Sequence, residues 1–281
     1  MIACDFEYYA PSSIAEALGT YQTMLGKGKS PVYYAGGTEI ITMARAGRLR
    51  TGAVIDIKGI PECGVFSFVG GQLVIGAAVT AGQACEANAF PLLSAVARRI
   101  ADHTCRNRIT IGGGVCGSLP YREMALPFLL GDGIAVVAGP GGTRLEPLHR
   151  LLTGGATLSP GDLLVQLITD ESVLSLPHYA VRRVRNSGDS VGYPLVSVAA
   201  VKRPDGVKVA ISGLCTFAFR SDEIDRCLAD TGTPLATRVE HAVSLVPGPV
   251  VTDLTGSSVY RKYVFKQVLS DIMTELEEVG A

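Results

Sequence analysis

The 281 residues carry 25 Lys and Arg against 26 Asp and Glu, a formal net charge of −1, with 47% hydrophobic and 18% charged residues. This near-neutral balance argues against nucleic acid as a partner, which calls for a basic face. No run reaches the roughly 18 uninterrupted apolar residues of a membrane span. The length suits one large or two ordinary domains, and a mean hydropathy of +0.30 suits a large core or an apolar face covered by a partner.

Met1 to Glu7 has neither a basic start nor an apolar signal core, so a cytoplasmic location is expected. Pro11-Ser12-Ser13 ahead of Ile14 to Leu18 predicts a helix capped by Ser12 or Ser13 and running to Leu25. A turn at Gly26 to Ser30, a short strand from Val32 to Ala35 and a helix from Glu39 to Ala46 follow. Ala53 to Ile57 reads as a buried strand ended by Gly59-Ile60-Pro61. Val65 to Val69 and Leu73 to Ile75, joined at Gly70-Gly71, have the signature of a hairpin. Thr80 opens a helical stretch, and Leu92, Leu93, Val96, Ala97 and Ile100 give helical spacing over Phe90 to Ala101. Ala125 to Leu130 predicts a short helix, and Ile134 to Ala138 a strand before the turn Gly139-Pro140-Gly141-Gly142. Leu148 to Leu152 and Asp162 to Ile168 finish this half.

A second unit begins near Asp170–Pro177, giving domains of residues 1–174 and 175–281. Leu195 to Val201 and Val207 to Ile211 read as a hairpin about Arg203-Pro204-Asp205-Gly206, with Leu214 to Phe219 as a third strand. Ser221 to Ala229, Leu235 to Ala242 and Ser257 to Glu278 are helical. Short strands alternating with short helices predict the class α+β, with a small antiparallel sheet backed by helices at the C-terminal end.

The seven cysteines are odd in number and widely spaced, with no C-x-x-C, which excludes a disulfide framework, a zinc site and an iron–sulfur cluster within the chain. Cys105 and Cys116 flank a glycine loop, and buried free thiols are expected elsewhere. His103, His149, His178 and His241 lack metal-ligand spacing. No metal site and no catalytic acid, base or nucleophile is expected; Asp56 and Glu62 read as turn or surface residues, and Asp102-His103 gives no catalytic pair.

Two glycine segments carry the functional signal: Ala35-Gly36-Gly37-Thr38-Glu39 after an apolar run, and Thr110-Ile111-Gly112-Gly113-Gly114 after Arg106-Asn107-Arg108. Glycine lets backbone N–H groups approach a ligand, and successive N–H groups can hold phosphate oxygens. Two such loops, each with a threonine hydroxyl, suit the diphosphate of a dinucleotide. Arg106 and Arg108 either steer that diphosphate or cap a helix end.

In these segments the chain resembles the FAD-binding medium subunit of molybdenum hydroxylases, the xanthine dehydrogenase and carbon monoxide dehydrogenase group. The family's AGGTDL stands here as Ala35 to Ile40, its strand and turn IDI..IPEL as Ile55 to Cys63, its L.IGA..T as Leu73 to Thr80, and its IRNRATIGGN as Cys105 to Gly114. Tyr193 to Ala200 is similar to the first strand of the family's C-terminal domain, and Asp253-Leu254 with Ser257 to Arg261 to its helix start. The matches keep family order over nearly the whole chain.

The resemblance implies a two-subdomain FAD-binding domain of the PCMH type, followed by a domain like the C-terminal domain of carbon monoxide dehydrogenase flavoproteins. FAD would lie with its diphosphate on Ala35, Gly36, Gly37, Thr38 and Glu39 and on Thr110, Ile111, Gly112, Gly113 and Gly114. Glu123 is the counterpart of a family aspartate, Arg183 falls at a basic position that touches the cofactor, and Tyr193 lies over the flavin ring or serves as a strand-end core residue. Gly114, Gly117 and Leu119 depart from the family's polar residues, removing side-chain bonds while glycine still offers its N–H. Molybdopterin and [2Fe-2S] clusters are expected on a large and a small partner subunit, with NAD+ or another acceptor taking the electrons. A stand-alone FAD-dependent oxidoreductase and a flavin-free scaffold subunit are the alternatives; the first is usually a much longer chain.

Overall fold

The structure, a computed structural model, describes residues 2, 4–152, 158–184 and 192–278. The chain opens with β1 (Glu7–Tyr9), α1 (Ile14–Gly26), β2 (Val32–Tyr34), α2 (Thr38–Arg45) and β3 (Ala53–Asp56). The three strands form a parallel sheet in the order β1-β3-β2. Ser13 is the cap of α1: its hydroxyl accepts from the N–H of Glu16, and the Glu16 carboxylate accepts in turn from the Ser12 N–H.

Next come α3 (Pro61–Gly64), β4 (Phe66–Val69), β5 (Gln72–Gly76), α4 (Ala81–Ala87), α5 (Pro91–Ala97), α6 (His103–Arg106), α7 (Ile111–Cys116), α8 (Leu126–Leu130), β6 (Ile134–Gly139), β7 (Gly142–Pro147), α9 (Leu148–Leu152) and β8 (Leu163–Asp170). Their strands make an antiparallel sheet in the order β4-β5-β8-β6-β7. The β4–β5 turn places Gly70 and Gly71 at φ of 58° and 77°, the left-handed pair that a two-residue hairpin turn demands. The last part contains β9 (His178–Val184), β10 (Pro194–Arg203), β11 (Gly206–Ser212), β12 (Phe219–Arg220), α10 (Asp222–Ala229), α11 (Leu235–Ser244) and α12 (Ser258–Glu278), with an antiparallel sheet ordered β12-β11-β10-β9.

This last sheet is covered on both faces, which explains why β10 is buried from Pro194 to Val201. Side chains alternate across a strand. Val181, Val196, Val198, Ala200, Val209 and Ile211 pack beneath the C-terminal helices with Phe265, Leu269 and Ile272. Ala180, Ala199 and Ala210, from the opposite face, join the larger core of α5, α8 and the five-stranded sheet. The small alanines let the sheet lie close against α8, where Phe128 meets Phe90 edge-on at 5.9 Å. Asp132, beyond the end of α8, locks the arrangement by accepting from Arg203 at 3.0 Å and Arg220 at 2.7 Å.

The α+β class and most element positions agree with the sequence reading. Four differ. The strands β1, β7 and β9 were not expected; β1 and β9 begin in polar or aromatic segments, Glu7-Tyr8-Tyr9 and His178-Tyr179, that lack an apolar run. The helix expected over Phe90 to Ala101 stops at Ala97, because Ala101 takes a left-handed φ of 47° and redirects the chain into α6. The third strand expected from Leu214 to Phe219 shrinks to Phe219–Arg220: Gly213, at φ 82°, leaves the ladder, and Leu214 and Cys215 turn into the core. The second glycine segment is α7, a short helix with Thr110 as its cap.

Candidate cofactor cleft

The two glycine segments meet. Gly36 passes so near the second segment that a Cβ on it would lie 1.7 Å from the carbonyl oxygen of Arg108. Glu39 accepts from Ser118, just beyond α7, through both the N–H at 2.7 Å and the hydroxyl at 2.5 Å. A Cβ at Gly117 would stand 2.4 Å from the Glu39 carboxylate, so a side chain there would displace Glu39. The turn between β2 and α2 is set from beneath. Gly37 takes φ 72° over the Tyr34 ring, and Lys58 sits 4.6 Å from that ring while donating to the Ala35 carbonyl at 3.1 Å. Asp56, expected at a turn or the surface, is buried and bonds both Lys58 and Tyr8; burial pushes its carboxyl up, but these bonds outweigh it and hold it below the ordinary range.

The two segments differ in what they leave free. In the second, the N–H of Ile111 bonds Val79, that of Gly112 bonds Ala77, that of Gly113 bonds the Thr110 hydroxyl, and that of Gly114 bonds the Thr110 carbonyl. Gly112 and Gly114 are glycine because Ala77 and Met124 press against them, at 2.6 Å from a Cβ in each case. In the first, the N–H groups of Gly36, Gly37, Thr38 and Glu39 have no hydrogen-bond partner among the described residues. They surround the N-terminus of α2, whose dipole favours negative charge. A diphosphate fits this end of the chain: the donors it needs are present, unused, and held in place by the second segment.

Arg106 Nη1 donates to the carbonyls of Ile100 and Ala101, in the turn between α5 and α6, at 3.1 and 2.7 Å. Neither flanking cysteine is set up as a thiolate. The Asp102 carboxylate raises the Cys105 thiol, and desolvation pushes Cys116 up to about 12.

Glu123 is buried at the junction with the C-terminal sheet, where it accepts from Arg182 Nε at 2.9 Å and from the Ser197 hydroxyl at 2.5 Å. Burial pushes its carboxyl up, against the opposing pull of Arg182. Arg182 and Ser197 are register partners on β9 and β10, so all three groups share one face of the sheet. Arg183 is one residue on and points the other way, pairing with Asp271 on α12 at 3.3 Å in an exposed contact. It is thus apart from the other expected site residues. Tyr193 stacks on Tyr121 at 5.0 Å and 15°, and the Tyr121 hydroxyl donates to Asp253 at 3.3 Å.

Ser118, Tyr121, Arg122, Arg182 and Ser197 belong to this site by geometry and were not singled out from the sequence. The adjacent pair Arg182-Arg183 inside an alternating segment was the available signal: strand periodicity sends the two side chains to opposite faces. Arg122 left no such trace, sitting just ahead of an apolar run.

Comparison with known proteins now bears on this cleft. A family profile described as the FAD binding domain in molybdopterin dehydrogenase matches residues 4–169. The carbon monoxide dehydrogenase medium chain of Hydrogenophaga pseudoflava is 25% identical over 282 residues, covering 96% of this chain and 96% of that one. The nicotinate dehydrogenase FAD-subunit of Eubacterium barkeri is 26% identical over 301 residues, covering 97% and 98%. Among solved structures, carbon monoxide dehydrogenase from Hydrogenophaga pseudoflava superposes with a TM-score of 0.86 at 24% identity over 98% of each chain. Quinoline 2-oxidoreductase from Pseudomonas putida 86 gives 0.82 at 20% identity, again over 98% of each. These last two likenesses are of fold.

Proposed function

Because the chain belongs to the family of FAD-binding domains of molybdopterin dehydrogenases, we propose that it is the electron-transfer subunit of a heteromeric molybdenum hydroxylase, passing electrons between the iron–sulfur clusters of a small subunit and NAD+ or another acceptor. It is an FAD-dependent oxidoreductase subunit, like the medium chain and the FAD-subunit that it resembles, and in this reading molybdopterin would stand on a large partner, where substrate would be oxidised. The proposal places the complex in the cytoplasm. No described helix is long and apolar enough to cross a membrane. Residues 1–174 form the cofactor domain in this reading, and residues 175–281 the domain facing the flavin.

The observation that carries the reading is the row of unpartnered N–H groups from Gly36 to Glu39 at the head of α2. These groups would hold the diphosphate, with the Thr38 hydroxyl beside them. Thr110, Ile111, Gly112, Gly113 and Gly114 would act differently: Thr110 packs against Gly36, while Gly112 and Gly114 admit Ala77 and Met124. When bound, FAD supplies the redox chemistry, and the protein supplies binding, orientation and electrostatics. Glu123, held by Arg182 and Ser197, and Tyr193, stacked on Tyr121, would border the side where the flavin ring lies. No residue of this chain is assigned as a general acid, base or nucleophile.

The test is to isolate the complex through a tag on this chain and to read its visible spectrum, metal content and chain composition together. Flavin, iron and molybdenum with two further chains are the expected result. A colourless single chain overturns the reading in favour of a scaffold, and flavin on a chain without partners turns it toward a stand-alone oxidoreductase.

A further inference from the structure

Asp56 ends β3 beside Tyr34, its register partner at the end of β2. Its carboxylate caps the turn that follows. Oδ1 accepts from the Lys58 N–H at 3.0 Å, and Oδ2 accepts from Lys58 Nζ and from the Tyr8 hydroxyl, each at 2.5 Å. The turn brings Lys58 back over the Tyr34 ring, and there Nζ also donates to the Ala35 carbonyl at 3.1 Å. Asp56 is buried, whereas the Lys58 side chain is about half exposed. The carboxylate is therefore the fixed end of this chain of bonds, and Lys58 is the arm that it holds.

The carbonyl that Lys58 takes belongs to the same peptide group as the Gly36 N–H. That peptide is trans, and in a trans peptide the C=O and N–H point in opposite directions. Whatever fixes the Ala35 oxygen thus fixes the direction of the Gly36 N–H, which has no hydrogen-bond partner among the described residues. Glycine would tolerate rotation of the whole peptide unit. Rotation would aim the N–H at the Lys58 ammonium and turn the carbonyl oxygen, a negative dipole end, to the side the N–H now faces. Lys58 selects the donating orientation. Its bond to the oxygen also polarises the peptide and strengthens the N–H as a donor. The Lys58 charge itself is largely matched by Asp56, so at longer range the pair adds little attraction for an anion.

We propose that Lys58 is a positioning residue for the cofactor: by holding the Ala35 carbonyl it aims the Gly36 N–H at the diphosphate held at the N-terminus of α2. This rests on the functional reading above and deepens it. The first glycine segment then has two separate anchors, Glu39 on Ser118 and Ala35 on Lys58, and the second reaches back through Asp56 to Tyr8 of β1.

The experiment uses the tagged complex, freed of flavin and titrated with FAD, ADP and riboflavin, for the natural chain and for Lys58→Met, Lys58→Arg and Asp56→Asn. Lys58→Met keeps an unbranched stem and removes the donor. It is expected to weaken FAD and ADP alike by about 5-fold or more, as for the loss of one pre-organised donor. Riboflavin, which lacks the diphosphate, should bind as before. Lys58→Arg should recover part of the loss. Asp56→Asn sets positioning against simple attraction by opposite signs: a loosened Lys58 weakens ADP, whereas removal of a negative charge would tighten it. Tighter ADP binding in Asp56→Asn would overturn the proposal in favour of a long-range charge effect. An equal loss for riboflavin, or no recovery in Lys58→Arg, would overturn it in favour of general packing, and unchanged binding of every probe would overturn it outright. If Lys58→Met does not fold, Lys58→Ser, too short to reach Ala35, is read by the same criteria. A natural complex that takes up no FAD overturns the functional reading itself, whereas normal uptake with an unaffected variant overturns only this assignment.

Discussion

Glu39 accepts two hydrogen bonds from Ser118, residues 79 positions apart in the chain, and so fastens the first turn of α2 to the exit of α7. This clasp keeps the open N–H groups of the first segment in one orientation. Pre-organisation of this kind lowers the ordering cost of binding. Glu39→Ala is therefore expected to lower FAD affinity about 10-fold with little change in melting temperature, because the contact is solvent-accessible and adds little to folding. Glu39→Gln, which keeps one acceptor oxygen, should fall between the two. Fluorescence titration of the flavin-free complex checks this; unchanged affinity in Glu39→Ala would remove the clasp from the account.

Gly36 tests the contact behind the clasp. Its missing Cβ admits the Arg108 carbonyl, and a backbone oxygen cannot move aside as a flexible side chain can. Gly36→Ala should force the two segments apart at a cost of about 1–3 kcal/mol, the usual range for overpacking. Gly28 has open space around its Cβ but takes φ 72°, so Gly28→Ala tests backbone strain without a steric clash. Denaturant midpoints of the two variants, with FAD retention measured in parallel, separate the effects. Only Gly36→Ala should lose FAD.

These glycines also show where sequence and structure part. The pattern Ala35-Gly36-Gly37-Thr38 announced a ligand turn, and the turn has the free donors that such a ligand needs. The pattern Gly112-Gly113-Gly114 looked equivalent, yet its N–H groups are consumed by Ala77 and Thr110. Composition cannot distinguish a glycine that admits a ligand from one that admits a neighbouring residue of the same chain, since both answer the same steric demand. The strands Val32 to Tyr34 and Ala53 to Asp56 were legible because their apolar character is local. The orphaned donor of Arg122 and the Arg182–Glu123–Ser197 cluster were not, because each depends on partners far away in sequence.

Asp253 makes the fold sensitive to acid. Its carboxylate accepts both bonds from Arg261 Nη2 at 2.8 Å, and Arg261, fully buried, also donates to the Leu195 and Gly213 carbonyls. Burial works to raise the Asp253 carboxyl, but Thr255 and Arg261 outweigh it and hold it near 2, down from an ordinary 3.8. A lowered folded value means that the stabilisation is complete above about pH 4 and is lost as pH falls toward 2. The full shift would correspond to over 2 kcal/mol; with a third of the side chain exposed, about 1 kcal/mol is the expected contribution. Asp253→Asn should be less stable at neutral pH and should show a flatter stability profile between pH 4 and pH 2. An unaltered profile in the variant would assign the acid sensitivity to other carboxylates.

The two neighbouring arginines of β9 give the sharpest contrast. Arg182 faces inward and compensates the buried Glu123, whereas Arg183 faces outward and meets Asp271 in an exposed pair. Removing one partner of a buried pair leaves an uncompensated charge and costs about 3–5 kcal/mol, while an exposed pair contributes about 0–1 kcal/mol. Arg182→Ala should therefore lower the melting temperature markedly and weaken the junction beside the flavin. Arg183→Ala should leave stability and flavin retention near normal. The double change Arg182→Met with Glu123→Leu, which removes both charges, should recover much of the stability lost by Arg182→Ala, since neither partner is then left alone. Calorimetry on the four chains resolves the cycle. If Arg183→Ala proved the more damaging, the facing of the strand would have to be reversed, because a one-residue change of register exchanges the two side chains.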